Sequence, residues 1–201
     1  MTTRIDRVAA ARLAWRALKL TKAGRHPVSL VRLAATAGLA SEEARRLADL
    51  IGLRVRGDLV SVGPQPRGVK PRAAADPCEG TFGAGPDGSV DMFLLAIATG
   101  ERVHAVSACP VTKSRIRIDL TPQAVLLVDP PTAVVAAVDL GLDLERVDAL
   151  ACAGQPYFAS AEAARGWLAG HPGGRLYQVN DYLAQAHRLV RALETRPKFV
   201  L

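Results

Sequence analysis

Three thiols and one carboxylate are the side chains of this sequence most able to do chemistry. Cys78, Cys109 and Cys152 are an odd number at wide spacing, which argues against a disulfide framework and leaves thiol chemistry or plain burial. Asp91 opens the apolar run "MFLLAIATG" shortly after the turn-forming "PDG". From the residues alone, Asp91 is most typical of a helix N-cap. Cys152, among Ala and Gly, is most typical of a small buried hydrophobe.

Other catalytic signatures are missing from the sequence. It contains no P-loop, dinucleotide fingerprint, HExxH or CxxC motif, and no internal repeat. The four histidines share no metal-ligand spacing, so each is expected to be a surface or capping residue. They are His26, His104, His171 and His187.

The composition bounds the kind of protein. Apolar residues make up 49% of the 201 residues and aromatic residues only 4%, so the core must be built from Ala, Val and Leu. No run approaches the roughly twenty apolar residues that span a bilayer, and "MTTRIDRVAA" lacks the apolar core of a secretory signal. We therefore expect a cytoplasmic protein with no membrane partner. The net charge of +7 is compatible with nucleic-acid contact, but it is spread along the chain.

The first part of the chain predicts a small helical domain. Residues 5–20 have roughly helical apolar spacing, and Ser29 is placed to cap the helix "LVRLAATA", which Gly38 ends. Ser41 opens another helix, and "LRVRGDLVSVG" predicts a hairpin around residues 56–58. Residues 1–62 are therefore predicted to form a winged-helix-like helical domain.

The periodicity changes after a Pro/Gly-rich linker, assigned to residues 63–75. "SRIRIDLTP" alternates strictly and predicts a strand, and "AVLLVDPP" and "TAVVAAVDLG" are also strand-like, although the latter could be helical. A helix of about ten residues is predicted from Ser160 to Gly170, and a short strand and a helix end the chain. The fold class is therefore α+β, with residues 76–201 forming a mixed or antiparallel sheet domain flanked by helices.

The order of these elements resembles that of the organomercurial (alkylmercury) lyase family. The segments "GRHPVSLVRLAATAGLASEEARRLADL", "VDMFLLAIATGERVHAVSACPVTKSRIRIDLTP" and "ACAGQPYFAS" with "AEAARGWLAGHPG" are similar to collinear segments of that family. The resemblance covers most of residues 20–190, and its specificity comes from the collinear set, since no single motif is decisive.

The resemblance implies a site of two cysteines and one aspartate, the first cysteine lying three residues before the aspartate. The aspartate corresponds to Asp91, the second cysteine to Cys152, and a non-catalytic family cysteine to Cys109. The first catalytic cysteine corresponds to Gly88, which has no side chain. Beside Cys152, Tyr157 and Phe158 would line the pocket, although core packing explains them equally well.

The missing thiol bears directly on the implied chemistry. Thiolates are the preferred ligands of mercury, a soft metal, and a carboxyl group can relay the proton to the departing carbon. With Gly88 in place of a cysteine, Cys78 could fold back as the second thiol, Ser89 could serve as a weaker ligand, or the reaction could be lost. We rank the loss of activity equal to rescue by Cys78, and Ser89 behind both.

Three functions follow from this reading. The first is protonolysis of a small organomercurial, with no cofactor beyond free thiols, whose product mercuric ion passes to thiols or to a mercuric reductase. The second is a diverged family member that binds a soft metal through Cys152 and Asp91, or acts on a non-mercury substrate. The third, a winged-helix DNA regulator, is disfavoured because Glu42, Glu43 and Asp49 face phosphates poorly.

Overall fold

The computed structural model describes residues 7–22, 25–62, 92–138 and 156–195. These residues form two compact units. The first contains residues 7–62 together with 187–195, and the second contains residues 92–138 together with 156–186. Among the helices of these ranges, none combines the length and the hydropathy that crossing a bilayer requires.

The first unit contains three helices and a small antiparallel sheet. The helices are α1 Arg7–Leu20, α2 Leu30–Ala37 and α3 Ser41–Leu50. The strands are β1 Val28–Ser29, β2 Arg54–Arg56 and β3 Leu59–Ser61, in the order β1-β3-β2. Apolar faces of all three helices meet the sheet in one core, where Leu13, Leu33 and Val60 are fully buried. The predicted hairpin around residues 56–58 is confirmed.

Two local predictions for α2 had different outcomes. Gly38 ends the helix with a φ of +73°, as predicted, because glycine tolerates this left-handed conformation. Ser29 holds the N-cap position, as predicted, but its side chain makes no capping hydrogen bond. The predicted position is therefore confirmed and the predicted hydrogen bond is wrong. The Ser29 hydroxyl instead donates to Oδ2 of Asp58 at 2.7 Å and connects β1 to the β2–β3 turn.

The second unit begins with a buried helix and a three-stranded meander. The elements are α4 Met92–Thr99, β4 Val103–Ala108, β5 Arg115–Leu120 and β6 Val125–Asp129. The three strands are antiparallel in the order β4-β5-β6. Ile116, Ile118 and Leu120 are all buried, as the alternation of β5 predicts.

A second antiparallel sheet follows, with strand order β8-β7-β9. Its strands are β7 Val134–Val138, β8 Tyr157–Phe158 and β9 Gly174–Gln178. The helices that follow in the chain are α5 Arg165–Gly170 and α6 Val179–Glu194, and residues 187–194 of α6 belong to the first unit. The segment "TAVVAAVDLG" therefore supplies a strand. Residues 134–137 are buried because β7 is the central strand of its sheet.

The predicted helix from Ser160 was too long. α5 begins only at Arg165, and residues 161–164 form turns, the first of which is closed when the Ala163 N–H donates to the Ser160 hydroxyl at 3.2 Å. The fold class is α+β, as predicted. The winged-helix assignment and the domain boundaries at 62 and 75 stay predictions, and residues 63–75 lie outside the described ranges.

Candidate functional site

The residues predicted to carry the chemistry lie outside the described ranges: Asp91, Cys152 and Cys78. Gly88, which stands where the family has its first catalytic cysteine, lies outside them as well. The structure therefore neither brings them together nor separates them. It does describe the elements that adjoin two of them in sequence. α4 begins at the residue after Asp91, and the chain after Cys152 enters the second sheet at β8.

The start of α4 is buried. Met92 is 1% exposed, Phe93 is 0% exposed, and burial continues through Ala96. A helix that is apolar on all sides, as "MFLLAIAT" is, packs inside a domain rather than on its surface. α4 ends at Thr99, whose hydroxyl donates to the Leu95 carbonyl at 2.9 Å, and Gly100 follows with a φ of +76°. The chain therefore goes from Asp91 directly into the core of the second unit.

An aromatic side chain of α6 packs against this first turn. The ring of Phe93 meets that of Tyr182 on α6 edge to face, with centroids 4.8 Å apart and planes at 77°. Tyr182 in turn contacts Tyr177 of β9 at 5.8 Å. Such ring pairs stabilise the folded protein by more than the burial of their apolar area alone, because the positive edge of one ring meets the negative face of the other.

The segment after Cys152 becomes a short strand. The Ala136 N–H donates to the Pro156 carbonyl at 3.0 Å, and Tyr157 and Phe158 then pair with Val135 and Val134 of β7. Both aromatic side chains are buried, at 6% and 2% exposure. Their burial fits the core-packing interpretation, and their part in a pocket stays a prediction.

Cys109 is buried at the end of β4, as expected for a non-catalytic cysteine. Burial raises the pKa of its thiol, but hydrogen bonds from the Thr112 side chain and from the backbone N–H groups of Ala159, Thr112 and Val111 outweigh that effect and lower the pKa to about 7. The Thr112 N–H lies 3.5 Å from Sγ. The thiolate form is thus favoured by donors of the β4–β5 loop and of the residue that follows β8.

One polar cluster was missed in the sequence. Asp119 is only 7% exposed, and its carboxylate contacts Nδ1 of His104 and accepts a hydrogen bond from Nη2 of Arg102 at 2.5 Å. The His104 side chain is 46% exposed, as predicted for a surface residue, but its contact with Asp119 was not predicted. The register of the β4–β5 hairpin pairs His104 with Asp119, so predicting that register from the sequence would have predicted the contact.

Two further histidines also agree with the prediction that they are surface or capping residues. His26 is exposed, and His171 follows the end of α5, where its Nδ1 lies 2.7 Å from the Trp167 carbonyl oxygen. Within residues 7–22, 25–62, 92–138 and 156–195, no group of three or more His, Cys, Asp or Glu side chains could hold a metal ion. The proposed thiol ligand Cys152 is not among those residues.

Comparison with known proteins assigns a family to the C-terminal half of the sequence. A sequence model of the alkylmercury lyase family matches residues 89–194. The matched range includes Asp91 and Cys152 and begins one residue after Gly88.

Curated relatives agree with the family model. An alkylmercury lyase of Bacillus cereus is 32% identical over 108 residues, which are 54% of this chain and 47% of the relative. Those of Streptomyces lividans and Pseudomonas putida are 30% and 26% identical over 107 residues, covering 53% and 52% of this chain and 49% of each relative. The chain spans about half the length of the curated relatives it matches.

A solved structure, described as the mercury-bound form of MerB2, is also similar. It is 18% identical, covers 92% of this chain and 89% of its own, and superimposes with a TM-score of 0.49.

Proposed function

Because the chain belongs to the alkylmercury lyase family, whose model matches more than half of its residues, we propose that it cleaves the carbon–mercury bond of small organomercurials by protonolysis. The observation that carries the proposal is the collinear match over residues 89–194, which contains both Asp91 and Cys152. The names of the curated relatives, alkylmercury lyases, support the same substrate class.

We assign the chemistry to Asp91 and Cys152, with Cys78 as the second thiol. Two features of the second unit support the pairing of Asp91 with Cys152. Asp91 directly precedes the buried start of α4, and Cys152 precedes the strand β8, whose two residues are also buried. A carboxylate and a thiolate beside each other in a partly buried site perturb each other's ionisation, which is typical of functional sites.

The proposed reaction balances without an oxidant or a reductant. The organomercury cation binds the Cys152 thiolate, and Cys78 adds to mercury while its proton passes through the Asp91 carboxylate to the mercury-bound carbon. The carbon–mercury bond breaks, its electron pair takes the proton, and the hydrocarbon leaves. Mercuric ion remains bound by two thiolates and keeps its oxidation state.

Free thiols complete the cycle. Two small thiol molecules exchange with the two protein thiolates and carry the mercuric ion away. One of their protons returns to Cys78, and the other passes to solvent as Cys152 returns to its thiolate form. The proposal therefore requires no cofactor beyond free thiols. The acceptor of the product is either the cellular thiol pool or a mercuric reductase, and we place the reaction in the cytoplasm.

Gly88 makes Cys78 necessary to this mechanism. Where the family has its first catalytic cysteine, this chain has no side chain, and Cys78 is the one thiol not otherwise assigned. The intervening "EGTFGAGPDG" is rich in glycine, which tolerates backbone conformations that other residues do not. We therefore propose that Cys78 fills the place left by Gly88.

The test is a headspace assay for methane or benzene. The wild type, Cys78→Ala and Cys152→Ala are each given methylmercury or phenylmercury in excess free thiol. The wild type should release hydrocarbon, and each variant should lose this activity to the same extent. Cys109→Ala is the matched control, because the mechanism does not use that thiol. Full activity in Cys78→Ala would defeat the two-thiolate mechanism.

The absence of a thiol at position 88 favours one competing function. A diverged family member would retain soft-metal binding through Cys152 and Asp91 without cleaving carbon–mercury bonds, or it would act on a non-mercury substrate. In that case the wild type binds mercuric ion but releases no hydrocarbon, and Cys78→Ala changes neither property. A mobility-shift assay with DNA at two salt concentrations tests the third alternative, the DNA regulator. Neither the lyase nor the diverged family member is expected to bind DNA.

A further inference from the structure

The net positive charge of the chain, expected from the sequence to be spread, is concentrated in the first unit. The described residues of that unit contain 13 Lys and Arg against five Asp and Glu, a net charge of +8. Those of the second unit contain six against five, a net charge of +1. An excess of one sign attracts partners of the opposite sign, so the first unit is where we expect an anionic partner to bind.

Three hydrogen bonds fix the β2–β3 hairpin of this unit against the neighbouring elements. The Leu30 N–H at the start of α2 donates to the Asp58 carbonyl at 2.7 Å, and the Ser29 hydroxyl donates to Oδ2 of Asp58 at 2.7 Å. From α3, Nη2 of Arg45 donates to the Gly57 carbonyl at 3.0 Å. A surface that is ordered before binding loses less conformational entropy when a partner binds. The hairpin is therefore suited to recognition.

The residues around the hairpin turn expose aliphatic and basic side chains. Leu59 of β3, which pairs with Ser29 and with Arg56, is 50% exposed. Val31, in the first turn of α2, is 58% exposed. Arg32 and Arg56 are exposed, and their guanidinium groups have no hydrogen-bond or ion-pair partner among the described residues. We call Val31, Arg32, Arg45, Arg56 and Leu59 the hairpin surface.

We propose that the hairpin surface binds a protein whose own surface presents carboxylates around an apolar patch. Protein interfaces combine an apolar centre with a polar rim and are enriched in arginine, and the hairpin surface has this composition. A guanidinium group binds a carboxylate through two parallel hydrogen bonds, so the unpartnered Arg32 and Arg56 favour an acidic partner. The proposal uses no residue of the lyase site and does not depend on lyase activity.

Other occupants fit this surface less well. A second copy of the chain would bring another charge of +8 against the first, and like charges repel. Duplex DNA is disfavoured by the exposed carboxylates of Glu42 and Asp49 on α3, and protein–DNA interfaces are more polar than a surface with two exposed aliphatic side chains. Anionic membranes bind helices that carry a continuous apolar face, whereas Val31 and Leu59 lie on separate elements.

Fluorescence anisotropy with the full chain tests the proposal. The probes are labelled peptides of equal length and equal charge, one composed of Glu and Leu and the other of Glu and Ser. The wild type should bind the Glu/Leu peptide more tightly, because that peptide also buries apolar side chains. Arg56→Gln should weaken the binding of both peptides by about threefold, whereas Leu59→Ser should weaken the binding of the Glu/Leu peptide alone, by about fivefold.

Two substitutions in the second unit are the matched controls. Leu127→Ser and Arg117→Gln also change an exposed leucine and an exposed arginine of a three-stranded antiparallel sheet, and Leu127 is 47% exposed. Neither should change the affinity for either peptide. Val31→Ser and Arg32→Gln repeat the test on α2, so the result does not depend on the folding of one variant.

The proposal is overturned if neither peptide binds, if the two peptides bind equally, or if the control substitutions weaken binding as much as Arg56→Gln and Leu59→Ser do. Labelled duplex DNA and phosphatidylserine vesicles are measured with the same variants. If either of them binds through Arg56 while the Glu/Leu peptide does not bind, the surface belongs to nucleic acid or to membrane, and the protein-partner proposal is wrong.

Discussion

Asp119 and His104 lie opposite each other on β5 and β4, and Nδ1 of the imidazole contacts the carboxylate. The aspartate is nearly buried, whereas the histidine and the neighbouring Arg102 are about half exposed. A carboxylate this far from water is stabilised by the Arg102 guanidinium and by the imidazole that contacts it, since an unpaired buried charge is costly. The pair joins the beginning of β4 to the end of β5.

Replacing Asp119 with asparagine should destabilise the protein. The amide keeps the shape but cannot satisfy both Arg102 and His104 with charge-assisted hydrogen bonds, so we expect a loss of about 1–3 kcal/mol. Urea unfolding at pH 7 measures it. Asp129→Asn is the matched control, because Asp129 is an exposed residue of the same sheet. If the two variants lose equal free energy of unfolding, the buried pair contributes no more stability than an exposed aspartate does.

The Cys109 thiol should make stability depend on pH. Its pKa is lowered from 9.0 to about 7 in the folded protein, so the thiolate contributes stability that is complete above about pH 9 and is lost as the pH falls through about 7. The difference in unfolding free energy between wild type and Cys109→Ser should therefore grow by roughly 2 kcal/mol between pH 7 and pH 9. Cys78 and Cys152 are present in both proteins, so the comparison isolates Cys109. A difference that stays flat with pH would contradict the thiolate assignment.

Glu194 should contribute stability in the acid range. The Lys19 hydrogen bond lowers the pKa of this carboxyl, burial opposes the effect, and the Trp15 N–H adds to the lowering. A lowered pKa gives stability that is present above the ordinary value of 4.5 and is lost as the pH falls through the folded value. Because both charged side chains are over a third exposed, we expect Glu194→Gln to cost about 1 kcal/mol or less at pH 7.

Unfolding of Glu194→Gln and wild type between pH 3 and 7 checks this. The two curves should converge at the acid end, and 1 M salt should reduce their separation at pH 7 because screening weakens exposed pairs. Lys19→Met gives the partner variant for a double-mutant cycle. A separation that persists at pH 3 would assign the effect to packing and not to charge.

Gly174 should not tolerate a side chain. A Cβ there would lie 2.7 Å from Cζ3 of Trp167 and 2.9 Å from the His171 carbonyl oxygen. Trp167 is also stacked on the His171 ring at 4.2 Å, so it cannot retreat without breaking that contact. We expect Gly174→Ala to cost about 1–3 kcal/mol. Gly166→Ala in α5 meets nothing within 4 Å and should be neutral or stabilising by roughly 0.5–1 kcal/mol, and thermal unfolding compares the two.

Gly88→Cys tests whether a thiol at position 88 is all that this chain lacks for carbon–mercury bond cleavage. The substitution restores the thiol three residues before Asp91. If Cys78 already supplies the second thiol, hydrocarbon release should change little. If the chemistry has diverged, the new thiol should create or raise release, provided that the backbone at position 88 does not require glycine. The headspace assay measures both, and circular dichroism checks that the variant folds.

Local patterns predicted several of the described elements of the second unit. Strict alternation in "SRIRIDL" was enough to place Ile116, Ile118 and Leu120 in the core, because side chains of a strand alternate between its faces. The helix from Ser160 was predicted too long because a good cap and good helix formers do not show where turns become a regular helix. Ser29 shows the same limit, since its hydroxyl had a tertiary partner, Asp58, that the sequence does not reveal.

The sequence did not predict contacts between residues that are far apart in the chain. The contact between His104 and Asp119 depends on the register of the hairpin. The contacts of Tyr182 with Phe93 and Tyr177 depend on the positions of two helices and one strand. The proposed site itself depends on the family resemblance, because neither Asp91 nor Cys152 has a local pattern that distinguishes a reactive group from a cap or a core residue.

The two sheets of the second unit differ in how far along the chain their partners lie. β4, β5 and β6 pair in sequence order through short connections, whereas β7 must find β9 across the whole of residues 139–173. Loop-closure entropy makes the local pairing the faster step. The meander should therefore form in the folding transition state and the β7–β9 pairing after it. Truncating Ile118 should then slow folding, while truncating Val135 should chiefly speed unfolding.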